Sequence, residues 1–142
     1  MRTIYFDKEG PRRQPGFRGF GAARRLRARD ELHPIREELY WALFELGLAN
    51  DFARLSASCD LEPYCEGTLQ PEDAERAASL LEERAQSLAQ QRYDWLCSRQ
   101  LRPDHVEYRI SVDAPELASE LESLSRFFTS ASAAGDAVQL AL

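Results

Sequence analysis

Apolar residues recur along most of this chain at helical spacing, and at a few places they alternate as they do in a strand. Ile4, Tyr5 and Phe6 form a short β-prone run that ends at Asp7. Ile35, Leu39, Leu43 and Leu46 follow at intervals of four, four and three, which predicts a helix. Pro34 suits the first turn of that helix, where its missing N–H costs nothing. Tyr40, Trp41 and Phe44 widen the stripe, so burial on more than one side is expected, and Gly47 falls near the helix end. Asn50 then reads as the cap of a second short helix with Phe52, Ala53 and Leu55 facing inward. A loop is expected over 58–69, where Pro63 and Gly67 break any regular pattern.

Gln70-Pro71-Glu72-Asp73 opens the longest predicted helix, with acids in the first turn where the helix dipole favours them. Its apolar stripe (Ala74, Ala77, Leu81, Leu88, Trp95, Leu96) extends to about residue 100, and Gln86, Gln90 and Gln91 lie on the wet face. Pro103 marks the stop. Val106, Tyr108, Ile110 and Val112 then alternate with Glu107, Arg109 and Ser111, the period of a half-buried strand. Asp113-Ala114-Pro115-Glu116 starts a final helix that buries Leu117, Leu121, Leu124 and Phe128 and ends at Gly135, a left-handed cap. Val138, Leu140 and Leu142 make 137–142 a last strand. The order β-α-α-α-β-α-β predicts one α+β domain, mostly helical, with a small sheet. If the last two strands are neighbours, the helix between them is a right-handed parallel crossover.

Composition supports a globular body: 44% of the 142 residues are hydrophobic and 30% charged, enough to bury a real core. No apolar run approaches the roughly 18–20 residues that span a bilayer. The amino terminus has no secretory h-region, since charge returns at Asp7, and three Cys cannot make a complete disulfide framework. A cytoplasmic protein with reduced thiols is expected.

Charge changes the picture most. Residues 1–29 carry nine basic side chains against Asp7 and Glu9, whereas residues 30–142 carry nine Arg against twenty-two acids, so the two parts stand at +7 and −13. The chain therefore divides into a short strand plus basic arm (1–29) and an acidic α+β domain (30–142). Within the arm, 10–21 holds four Gly and two Pro, which forbids a regular helix or central strand, and 22–29 could be helical. Arg12, Arg13, Phe17, Arg18, Phe20, Arg24 and Arg25 interleave cations with aromatics, as a stacking surface for single-stranded nucleic acid would. The competing expectation is that the arm folds back over its own acidic helices with Phe17 and Phe20 buried.

Catalytic and metal chemistry find little support. Cys59 and Cys65 have five residues between them, outside the usual zinc spacing, and no second tight pair accompanies Cys97, His33 and His105. A Cys59–Cys65 disulfide stays open should the protein be exported. Cys97 sits in a predicted helix beside Trp95 and Leu96, and Cys65 lies beside Glu66, which would raise its pKa, so neither suits a nucleophile. Glu37-Glu38, Glu72-Asp73 and Glu82-Glu83 are adjacent pairs that point about 100° apart on a helix and do not converge on one atom. The glycines of the arm do not form a phosphate loop or dinucleotide fingerprint. No catalytic residue, metal or cofactor is therefore expected.

Cys65-Glu66-Gly67-Thr68-Leu69-Gln70-Pro71-Glu72-Asp73-Ala74 and the amphipathic helix after it resemble a pattern of small bacterial proteins, as do Phe127-Phe128, Gly135 and the closing Ala137-Val138-Gln139-Leu140. Some proteins of this kind are similar to immunity proteins of bacterial toxin systems. The resemblance implies a binding role and brings no catalytic residues. It agrees with the acid excess, which suits rapid capture of a basic partner protein. Glu62, Glu66, Glu72, Asp73 and Glu75 are the expected contact surface. The alternative is a nucleic-acid-associated protein acting through the arm, and a homodimer with the arm of one subunit on the body of the other is compatible with both.

Overall fold

The computed structural model describes residues 2–6, 31–56, 66–90, 95–100 and 107–142. It is an α+β fold, mostly helical, and the expected order is its frame with three further strands added. In chain order the elements are β1 (Arg2–Phe6), β2 (Glu31–Ile35), α1 (Glu37–Glu45), α2 (Leu48–Leu55) and β3 (Glu66–Leu69). Then come α3 (Pro71–Ala89), β4 (Trp95–Gln100), β5 (Glu107–Val112), α4 (Ala114–Ala134) and β6 (Val138–Ala141). Four strands make a mixed sheet in the order β2-β1-β6-β3, with β1 parallel to both neighbours and β3 antiparallel to β6, while β4 and β5 pair antiparallel as a separate ribbon.

Strand alternation gives the sheet two faces. Register places Arg2, Ile4 and Phe6 on one of them, together with His33 and Ile35 of β2, Val138 and Leu140 of β6, and Leu69 of β3. Helices α1 and α4 pack there: Tyr40 stacks on Phe6 with centroids 4.1 Å apart, and Phe127 lies 5.1 Å from His33. Tyr40 also meets Trp41 and Phe44 edge-on at 4.7 and 5.3 Å. α3 packs mainly on α4. The facing positions are small on one side (Ala74, Ala77, Ala78, Ala85), which lets the backbones approach, and the buried Ser125 hydroxyl donates to the Ala78 carbonyl at 2.8 Å. Phe52 of α2 closes the core against Phe128 at 5.8 Å.

The termini of α4 follow the expected capping chemistry. Asp113 accepts from the Glu116 N–H at 3.3 Å, with Pro115 in the first turn. At the other end Gly135 takes φ 71°, its N–H bonds the Ser132 carbonyl, and the Asp136 N–H reaches back to Ala131, which is a Schellman closure.

Several boundaries differ from expectation. Pro34 is not in a helix but in β2, an edge strand where a missing N–H is tolerated, and α1 starts at Glu37. Ile35 shares the helical spacing of Leu39 and Leu43 yet is buried from the strand. Asn50 is inside α2, exposed, while Gly47 with φ 76° precedes the helix and turns the chain between α1 and α2. Part of the expected 58–69 loop is β3, and the long helix ends at Ala89, so Trp95, Leu96 and Cys97 belong to β4. Short apolar runs of this kind take the conformation their partner strand offers. β5 and β6 are not neighbours, so no parallel crossover joins them. β1 is an interior strand of the sheet, so Arg2–Phe6 belongs with the body and not with an arm.

Candidate docking surface

Ion pairing inside the fold decides which charges remain outside. The Arg2 side chain is only 10% exposed, and its guanidinium pairs with Glu31 and Asp136, both at 3.1 Å, and donates to the Ser130 hydroxyl at 2.7 Å. It thereby ties β1 to β2, to the end of α4 and to the turn before β6. Arg36, just before α1, bonds Glu120 and pairs with Glu116 at 3.4 Å and Glu38 at 3.7 Å. The Glu120 hydrogen bond, opposed by partial burial and helped by the three carboxylates, raises the Arg36 pKa further above its already high value. Arg54 and Arg76 lie within reach of Asp51 and Asp73 on their own helices, at 4.0 and 3.6 Å. Arg84 and Arg126 are exposed and have no carboxylate partner among the described residues.

The acids left over concentrate on α3. Glu72, Glu75, Glu82 and Glu83 are all exposed. With Ser79 and Gln86 they recur at spacings of three and four, so they form one stripe down the helix, opposite the buried Ala77, Leu81, Ala85 and Leu88. Of the five carboxylates expected to make the contact surface, Glu72 and Glu75 head this stripe. Asp73 is half-buried to its side and bound to Arg76. Glu66 is exposed on the edge strand β3 just before the helix and accepts from Gln139 Nε2 at 3.5 Å. Glu62 lies outside the described residues, as do all seven arm residues. Glu82 and Glu83, read from sequence as solvated carboxylates only, extend the stripe; the signal that finds them is their helical spacing from Glu75.

No group of three or more His, Cys, Asp or Glu side chains that could hold a metal occurs among the described residues. Cys59, Cys65 and His105 lie outside them. His33 is in β2 against Phe127, and burial lowers its pKa below the ordinary 6.5. No described helix is long and apolar enough to cross a membrane. Comparison with protein-family models, with curated proteins and with solved structures gave no match.

Proposed function

We propose that this protein is a non-enzymatic binding module that captures a basic partner protein on the acidic stripe of α3. Its most concrete form is an immunity protein that neutralises a basic bacterial toxin. The observation that carries the reading is the division of charge: Arg2 and Arg36 are engaged by carboxylates of their own fold, while Glu72, Glu75, Glu82 and Glu83 stand exposed on one helix. Such a surface speeds encounter with an oppositely charged protein and makes capture sensitive to salt.

The test is affinity purification of the tagged protein at native expression and low salt, followed by a salt step. A single basic protein that salt releases, and that the Glu72→Lys, Glu75→Lys, Glu82→Lys variant no longer retains, supports the proposal. Capture with unchanged salt dependence in that variant overturns it. Nucleic acid in the eluate would move the assignment to the alternative, a nucleic-acid-associated role for Arg12, Arg13, Phe17, Arg18, Phe20, Arg24 and Arg25. That alternative is tested by substitution of these residues, because deletion of 1–29 also removes interior strand β1.

A further inference from the structure

β2 is held unevenly along its length. Among the described residues it has one neighbour in the sheet, β1, and its other side is an edge. Glu31 and Pro34 are exposed, Leu32 and His33 are half-buried, and Ile35 is its one buried side chain. The strand therefore buries little apolar surface except at its last residue, and Pro34 has no N–H to give to a ladder. Segments with few buried contacts and hydrogen bonds at an edge occupy the low end of a protein's local stability.

Its two ends are fixed differently. The α4 residues that meet the strand and its flanking arginines are Ser130, Phe127, Glu120 and Glu116, at spacings of three, seven and four, so one face of α4 runs along β2. After Ile35, Arg36 is held by Glu120 and Glu116 of α4 and by Glu38 of α1. Three carboxylates from two helices make that end a pivot. At the other end the Glu31 side chain is 60% exposed, and its ion pair is with Arg2 Nη1 at 3.1 Å. Arg2 does not depend on Glu31. Asp136 at 3.1 Å and the Ser130 hydroxyl at 2.7 Å stay with it when Glu31 leaves, so opening strands no buried charge. Between the two ends the contact is a single ring pair, His33 on Phe127.

We infer that β2 is a strap, pivoted at Ile35 and Arg36 and latched by the Glu31–Arg2 pair, whose stretch from Glu31 to Pro34 swings off β1 while the rest of the sheet stays folded. The open form leaves the outer backbone edge of β1 unpaired and uncovers Phe127. An ion pair with one exposed partner weakens as salt screens it, so ionic strength sets how often the strap opens.

Amide hydrogen exchange of the full-length protein, read residue by residue by NMR, tests the inference. The protected amides of β2 are expected to exchange at least about tenfold faster than those of β6. That ratio should widen as salt rises from about 0.01 M to about 1 M, where the Debye length falls from about 30 Å to about 3 Å. Glu31→Gln, an exposed and nearly isosteric change, should widen it about threefold at low salt and remove most of its salt dependence. Equal exchange in β2 and β6 marks opening by global unfolding alone and overturns the proposal. An absence of protection throughout β2 does the same, as does a Glu31→Gln chain in which β2 exchanges at the parent rate. Should that variant not fold, the salt series on the parent chain decides alone: a ratio that salt leaves unchanged refutes the latch.

Discussion

Two side chains in β1 and β2 carry more of the structure than their types suggest. Arg2 is nine-tenths buried and holds two carboxylates and a hydroxyl from three parts of the chain. Arg2→Ala leaves Ser130, Glu31 and Asp136 without it and opens a hole beside Ile4. A loss of about 1–3 kcal/mol is expected, measured by urea unfolding. Arg2→Lys should recover only part of that, since an ammonium cannot reproduce the planar fork. His33 gives a pH effect whose sign follows from burial. Its folded-state pKa lies below 6.5, so the unfolded chain binds the proton more readily. The neutral-His contribution is fully present above the ordinary pKa and is lost as pH falls from about 6.5 through the lowered folded-state value. His33→Phe should flatten that part of the stability–pH curve, and a slope equal to that of the parent chain would reject the assignment.

At the scale of elements, α4 was the most legible part of the chain. Asp113, Pro115 and Gly135 act through bonds within five residues of themselves, so local sequence was sufficient to place both ends. Gly135→Ala should cost about 1–2 kcal/mol by thermal denaturation, because the new Cβ meets nothing within 4 Å and only the positive φ is penalised. Asp113→Ala should cost about 1 kcal/mol through the lost cap. The strands β2, β3 and β4 were not legible. Glu66-Gly67-Thr68-Leu69 has no strong strand preference, and it becomes one by pairing with β6, about seventy residues away in the chain. Trp95 and Leu96 continue the apolar stripe of α3 in sequence, yet they are paired with Val112 and Ser111.

For the whole molecule, the consequential finding is that the amino terminus is interior to the sheet. Deletion of residues 1–6 removes the strand between β2 and β6, and loss of cooperative unfolding is expected by circular dichroism. The proposed function gives the α3 stripe a basic protein partner. Reversal of Glu72, Glu75 and Glu82 should leave thermal stability within about 0.5 kcal/mol, as these are exposed positions, while abolishing salt-sensitive capture. A stripe that proved necessary for folding would be structural surface instead.

Sequence by itself determined the α+β class, the helical periodicities of α1, α3 and α4, the caps of α4, the strands β1, β5 and β6, and the separation of basic and acidic segments. Each of these depends on contacts near in the chain or on composition alone. Tertiary structure decided the strand order, the fate of β2, β3 and β4, and which acids stay free. Those depend on partners far apart in sequence: Arg36 reaches Glu120 and Arg2 reaches Asp136 only because α4 is laid across the sheet. Glu116 and Glu120 thereby share the Arg36 guanidinium, whereas Glu72, Glu75, Glu82 and Glu83, no different in composition, face solvent on α3 with no cation of another element beside them among the described residues.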